Sequence, residues 1–270
     1  MSRRYAVVGH PVRHSKSPWI HAHFAECTQR DIVYAAYAPP LSGFDEFARN
    51  FFAAGGCGLN ITVPFKQEAL AFASSASAFS KRAQAANVLA ARNSGIVAYN
   101  TDGAGLVRDI THNLRVAIAD KRLLLIGAGG AARAVALALA EKNPANLCIA
   151  ARNTKRAVAL AETVGEHSTI SVRGIALADC DEPFDIVINA TSAALSGEKL
   201  PLSSAVFAGA ELAYDLSYGK AAKTFLRVAN QAICCVDGAG MLAEQAAFSF
   251  AIWEGVMPMT ADVIRQVKGN

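Results

Sequence analysis

Long apolar runs, clustered charge and paired cysteines are all missing from this 270-residue chain. No stretch approaches a membrane span, about eighteen apolar residues, so no transmembrane helix is expected. No run of about five Lys or Arg occurs, charged residues are only 18% of the chain, and the net charge is +4. Nucleic acid is therefore not an expected partner; the mild positive balance suits a small anionic substrate. The six cysteines, Cys27, Cys57, Cys148, Cys180, Cys234 and Cys235, form no C-x-x-C pair and have no histidine at zinc spacing. Neither a metal centre nor a disulfide framework is expected, and the cysteines read as reduced thiols of a cytoplasmic protein. The N-terminal "MSRRYAVVGHPV" lacks the apolar core of a signal peptide. Internal repeats and low-complexity tracts are absent too.

What the chain has in quantity is apolar residues, 53% of the total. That supports a substantial core, in one large domain or two modest ones. "YAVVG" (5–9), "IVYAAYA" (32–38) and "GLNITVP" (58–64) read as strands. Ser17-Pro18 opens a helix, with Ser17 as its expected N-cap and Pro18 in the first turn. "GFDEFARNFFAAG" (43–55) has its phenylalanines at helical spacing. From 121 onward the strands "RLLLI", "NLCIAAR", "FDIVINAT" and "ELAYDLSY" alternate with helices, which predicts an α/β protein with a parallel, doubly wound sheet. The tail from 239 reads as helix.

Gly127-Ala128-Gly129-Gly130-Ala131-Ala132 fits G-x-G-x-x-[GA] directly after a strand and at the start of a helix. In that context the first glycine permits a tight turn, the second lets backbone approach a pyrophosphate, and helix N-terminal amides face the anion. A glycine turn without a ligand is the plainer alternative. The next strand runs into Ala151-Arg152-Asn153-Thr154-Lys155-Arg156, with no acid to bond the ribose 2′-hydroxyl of NAD. Three cations there can instead clamp a 2′-phosphate, which points to NADP. A solvated basic helix start is the alternative, and it sits poorly with the helix dipole.

The N-terminal third carries polar groups where a core would not place them. Ser15 and Ser17 stand two apart in "HSKSP". Asn60 and Thr62 alternate on one face of the third strand, with Lys66 beyond its end. Asn87 follows "AQAA", and Asp102 lies in "YNTDGAG" (99–105). Together they form a donor and acceptor set for a small polyhydroxylated acid. A Lys near an Asp can move a proton to or from an alcohol that interconverts with a ketone while a nicotinamide carries the hydride.

"HSKSP", "GLNITVPFK", "NTDGAG", "GAGGAA", "INATS" and "DGAGMLAEQAAFSF" follow in that order. From Val8 to Gly255 the chain resembles the shikimate dehydrogenase family. The resemblance implies two α/β domains separated by a cleft: an N-terminal substrate domain (1–104, completed by C-terminal helices in 239–270) and a Rossmann-type NADP-binding domain (105–238). It implies reversible NADPH-dependent reduction of 3-dehydroshikimate to shikimate, on the route to aromatic amino acids. Lys66 and Asp102 would be the catalytic pair. Ser15 and Ser17 would hold the substrate carboxylate, and Asn60, Thr62, Asn87, Tyr218 and Gln245 would help bind the ring substituents and carboxylate. Gly127, Ala128, Gly129, Gly130 and Ala131 would hold the pyrophosphate, with Arg152 and Arg156 on the 2′-phosphate among Ala151, Asn153, Thr154 and Lys155. Leu216 and Gly238 would sit near the nicotinamide.

Three positions depart from the family pattern: Ala151-Arg152-Asn153 where Asn-Arg-Thr is common, Val88 where a Thr usually follows Asn87, and "SAALSG" at 192–197. A sibling acting on quinate is one alternative, and such siblings often carry an acid near the position of Arg152. A non-catalytic nucleotide- or shikimate-sensing protein is another, and it predicts loss of Lys66 or Asp102. A folate-linked dehydrogenase would not need the Ser15-Ser17 pair. Monomer and homodimer both remain open.

Overall fold

The computed structural model describes residues 2–191 and 201–269, so "SAALSG" lies outside the described residues. The chain forms two compact units: Met1–Gly105 with Ala243–Val267, and Leu106–Leu242 with Lys268–Asn270. Each holds a six-stranded sheet.

In the first unit the elements run β1 (Arg3–Val8), α1 (Ser17–Thr28), β2 (Ile32–Tyr37), α2 (Phe44–Ala53), β3 (Gly56–Ile61), α3 (Lys66–Phe72), β4 (Ser75–Ala76), α4 (Ala78–Ala83), β5 (Val88–Arg92), β6 (Gly95–Tyr99) and α5 (Asp102–Arg108). The sheet order is β2-β1-β3-β5-β6-β4. β1, β2 and β3 are parallel, but β5 runs antiparallel to both β3 and β6. The sheet of this unit is therefore mixed. Val88–Tyr99 is a hairpin with a two-residue connection, Asn93-Ser94, between paired Arg92 and Gly95. Its Ala-rich first strand hides that from periodicity, since alanine favours helix.

One face of this sheet packs on Phe44, Ala48, Phe51, Phe65 and Ala69, all buried. The other receives the apolar helix α9 (Ala239–Glu254). Trp253 stacks on Tyr5 at 4.6 Å, donates Nε1 to the Leu89 carbonyl at 3.1 Å, and fills the space beside Gly58. Glu254 accepts from Tyr5 at 2.6 Å and pairs with Arg3 at 2.6 Å.

In the second unit β7 (Arg122–Ile126), α6 (Gly130–Ala140), β8 (Asn146–Ala151), α7 (Thr154–Gly165), β9 (Ser171–Ala176), β10 (Ile186–Asn189), β11 (Leu212–Asp215), α8 (Lys223–Val228) and β12 (Cys234–Val236) follow. The order β12-β11-β10-β7-β8-β9 is parallel throughout. Leu123, Leu124, Leu125 and Ile126 of β7 are all fully buried, as a central strand covered on both faces requires. A last helix, α10 (Ala261–Gly269), ends the described chain. No helix among the described residues is long and apolar enough to cross a membrane.

Candidate active site

The antiparallel strand β5 builds the site in the first unit. Its start lies at the same end of the sheet as the ends of β3 and β6, with Asn60 paired to Val88 and Val88 paired to Tyr99. Three chain segments therefore converge there: the turn after β3, Asn87 just before β5, and Asn100-Thr101-Asp102 after β6. β3 stops at Ile61, and Val63–Pro64 is a cis peptide bond. Phe65 is buried in the core. Lys66, expected beyond the end of the third strand, is the first residue of α3. Proline ends the ladder and the buried Phe65 anchors the new helix, which turns the ammonium away from the core.

Lys66 Nζ stands 2.5 Å from Asp102 Oδ2, with side-chain exposures of 20% and 9%. Asn87 Nδ2 donates to Asp102 Oδ1 at 2.9 Å, so each carboxylate oxygen has a separate partner. Asn87 is itself fixed. Its carbonyl accepts from the Thr101 amide at 2.8 Å, which orients the NH2 group towards Asp102, Thr101 Oγ1 at 2.9 Å and Gln245 Oε1 at 3.3 Å. Asp102 opens α5, where the helix dipole favours a carboxylate. Asn100 Oδ1 accepts from the Asp102 amide at 3.1 Å. The result is a partly shielded ion pair on a rigid amide frame, the arrangement that proton transfer at a fixed point needs.

The serine pair stands at the start of α1, Ser15 just before it and Ser17 in it. Ser17 is the first helical residue, and its amide donates to Ser15 Oγ at 3.2 Å. The expected N-cap role of Ser17 is therefore corrected: its side chain does not cap, and its amide bonds back to Ser15. Ser15 Oγ donates to Ser17 Oγ at 3.1 Å. Beneath them lies Tyr34, whose hydroxyl donates to Asn60 Oδ1 at 2.7 Å. Burial holds the Tyr34 phenol well above its usual range, while a hydrogen bond from Ser17 opposes this. Asn60 Nδ2 donates to Ser249 Oγ at 2.9 Å and to the Asn87 carbonyl at 3.3 Å. Both Asn60 amide hydrogens are thus engaged within the protein. Asn60 joins Tyr34 to Asn87 and Ser249. Thr62 follows β3, its amide bonded to the Val8 carbonyl at 2.9 Å.

His21 stacks on Tyr34 with ring centroids 4.3 Å apart and is fully buried. Neither ring nitrogen has a hydrogen-bond partner among the described residues. Burial lowers its pKa to about 3; nearby Asn60 opposes this, but its own amide bonds lie elsewhere.

The second unit carries the glycine turn. Gly127 sits at φ +113, its amide bonded to the Ala150 carbonyl at 2.8 Å. A Cβ at Gly129 or Gly130 would meet nothing within 4 Å, so backbone is open to close approach just where α6 begins. At the end of β8, Ala151 is buried while Arg152, Asn153, Thr154, Lys155 and Arg156 are exposed. Asn153 caps α7 by accepting the Arg156 amide at 3.2 Å. Cations on a helix N-terminus repel its dipole, and a bound anion relieves that repulsion. Open glycine backbone and an acid-free basic helix start fit NADP. Tyr218 also belongs to this unit, half-buried beyond β11. Gly238 presses on the Leu216 carbonyl, and its amide donates to Ser217 O at 2.8 Å.

Tyr34, Asn100, Thr101 and Ser249 complete the first-unit frame without having been assigned from sequence. Asn100 and Thr101 flank Asp102 in a motif already noted. Ser249 is a lone hydroxyl in the apolar "AAFSFA", a signal that was available.

Comparison with known proteins gives matches along the chain. Residues 7–89 match the shikimate dehydrogenase substrate binding domain, 109–196 the shikimate / quinate 5-dehydrogenase domain, and 238–268 the shikimate 5′-dehydrogenase C-terminal domain. The NADP(+) shikimate dehydrogenase of Dechloromonas aromatica is 47% identical over 272 residues, covering 100% of this chain and 99% of its own. That of Nitrosospira multiformis is 48% identical, covering 100% and 98%. An Ael1 enzyme of Pseudomonas putida superimposes with a TM-score of 0.92 at 42% identity, covering 98% of both chains. Shikimate 5-dehydrogenase of Thermus thermophilus, solved with NADP(H) and shikimate, superimposes with a TM-score of 0.84 at 29% identity, covering 98% and 99%. With full-length identity near one half and all three domain types in order, the chain belongs to the shikimate dehydrogenase family.

Proposed function

We propose that this chain is an NADP-dependent shikimate dehydrogenase, interconverting shikimate and 3-dehydroshikimate on the way to aromatic amino acids. The observation that carries the reading is the Lys66–Asp102 pair at 2.5 Å, held in place by Asn87. Bound NADP supplies the hydride acceptor. As the alcohol becomes a ketone, the Lys66–Asp102 pair takes the hydroxyl proton; in reduction it returns that proton to the carbonyl oxygen. Ser15 and Ser17 receive the carboxylate, while Thr62, Asn87 and Gln245 supply bonds for the ring hydroxyls. Asn60, bonded to Tyr34 and Ser249, is read as a further contact for the ring substituents or carboxylate. Tyr218 is the proposed substrate residue of the second unit, on the family resemblance. Arg152 and Arg156 read the 2′-phosphate, with Lys155 adding positive charge.

A quinate-preferring sibling is disfavoured by the cations and lack of an acid at 151–156. A non-catalytic sensor has no need of an intact, bonded Lys66–Asp102 pair. Free thiols at all six cysteines suit a reducing compartment, and the chain is read as cytoplasmic, a monomer or a homodimer. Initial rates with shikimate and quinate, each with NADP and with NAD, test the reading. Shikimate with NADP is expected to give the highest kcat/KM of the four; a preference for quinate or for NAD would overturn it.

A further inference from the structure

Two side chains of the second unit are almost fully buried, yet both are polar. Asn189 ends β10 at 1% exposure and Asp215 ends β11 at 0%. Asn189 Nδ2 donates to Asp215 Oδ2 at 2.9 Å. Their remaining atoms reach forward into the loops that follow their strands. Asn189 Oδ1 accepts from the Thr191 amide at 3.1 Å and from Thr191 Oγ1 at 2.8 Å. Asp215 Oδ1 accepts from the Ser217 amide at 2.8 Å. Buried polar groups persist when every atom is satisfied, and a satisfied network rigidifies what it touches.

What it touches lies next to the cofactor residues. The Leu216 amide donates to the Asn189 carbonyl at 2.9 Å, and Gly238 presses on the Leu216 carbonyl so closely that a Cβ would lie 2.2 Å from the oxygen. On the other side, a Cβ on Gly127 would lie 3.1 Å from the Ala190 carbonyl. The Ala190 amide donates to the Ile126 carbonyl at 2.8 Å. The glycine turn, the 189–191 loop, the 215–217 loop and Gly238 thus form one packed chain of backbone, with the Asn189–Asp215 pair joining its two strands. Nothing in the hydride chemistry calls for this pair, and a merely structural end of two strands would be filled at less cost by apolar side chains.

We propose that Asn189 and Asp215 are positioning residues for the nicotinamide end of the cofactor site: their mutual bond sets the loops carrying Thr191, Leu216 and Ser217, and through Leu216 the seat of Gly238. This rests on the NADP reading above. It separates the cofactor site into two parts. The 2′-phosphate end at 152–156 depends on β8 and α7, whereas the nicotinamide end depends on β10 and β11.

Three variants test it, each assayed for kcat with shikimate and NADP and for the affinity of adenosine 2′,5′-bisphosphate, which carries the adenosine half of NADP with its 2′-phosphate and has no nicotinamide. Asp215→Asn opposes two amide groups and breaks the bond between the strands. It is expected to lower kcat roughly 10- to 100-fold, the scale of a misplaced reactant, with bisphosphate affinity within about two-fold of wild type. Asn189→Asp opposes two carboxyls, which can share one proton. Its activity is expected to recover as pH falls, because a protonated carboxyl can donate as the amide did, while Asp237 is the further charged group acting on Asp215. The exchanged variant Asn189→Asp with Asp215→Asn keeps all four side-chain bonds with the roles reversed. It is expected to return kcat to within about five-fold of wild type, and it remains readable if a single variant does not fold. Wild-type kcat in both single variants would overturn the proposal. So would bisphosphate affinity falling in step with kcat, or an exchanged variant no better than the singles. Wild-type protein that does not bind the bisphosphate would remove the NADP reading itself, a distinguishable result that takes the proposal with it.

Discussion

Lys66 and Asp102 are 36 residues apart in sequence, and their Nζ and Oδ2 atoms are 2.5 Å apart in space. Each opens a helix, α3 and α5, at the same end of one sheet. Asn87 grips the second carboxylate oxygen at 2.9 Å. A pair built this way has fixed geometry without being locked in the core, because Lys66 keeps 20% of its side chain exposed.

The frame around Asp102 is expected to matter almost as much as the pair. Asn87→Ala removes the donor to Asp102 and the acceptor for the Thr101 amide. Turnover is expected to fall roughly 10- to 100-fold, through misplacement of the carboxylate, with the KM for NADP unchanged. Steady-state kinetics with each substrate varied in turn checks this split. A rise in the KM for NADP alone would place Asn87 elsewhere in the account.

Arg152→Ala is expected to raise the KM for NADP about 10-fold or more, the worth of a charge-assisted contact, and to leave the KM for NAD nearly unchanged. Equal effects on both cofactors would make the 151–156 segment merely structural.

Gly127→Ala is expected to cost about 1–2 kcal/mol of stability, since alanine at φ +113 is strained and its methyl would crowd the Ala190 carbonyl at 3.1 Å. Urea unfolding measures the loss, and NADP affinity should fall with it as the turn shifts.

His21 gives the fold a built-in acid sensitivity. Its pKa is about 3 when folded, against an ordinary value of 6.5. As pH drops below 6.5 the unfolded chain takes up a proton that the folded chain refuses. Stability from this group is therefore full above 6.5 and declines as pH falls towards 3, by up to about 5 kcal/mol. His21→Phe keeps an aromatic ring on Tyr34 and removes the titration. Urea unfolding at neutral pH and again in mild acid should show a smaller acid loss in the variant; an equal loss would assign the acid sensitivity to other groups.

The second unit was the more legible half. "RLLLI" and the glycine turn follow local rules, and the strands after 121 alternate with helices as expected, α7 spanning Thr154–Gly165. The first unit was harder because its site depends on a strand reversal. Nothing local in "NVLAARNSGIVAY" announces that β5 runs antiparallel to β3 and thereby brings Asn87 beside Lys66 and Asp102. The polar residues themselves were conspicuous in sequence. Which of them share hydrogen bonds was not, since Tyr34–Asn60 and Asn60–Ser249 are contacts across 26 and 189 residues. Ser17 does not take its expected capping role because the turn before Pro18 is set by the Ser17 amide bonding back to Ser15.

The central claim is that Lys66 and Asp102 carry the proton of an NADP-linked shikimate oxidation. Its most direct test is kcat/KM for shikimate with saturating NADP, compared between wild type and Lys66→Ala. Wild type should produce NADPH with shikimate, and the variant should be slower by roughly two to four orders of magnitude, with NADP affinity retained. A variant within about two-fold of wild type, the usual scatter of such rates, would contradict the account.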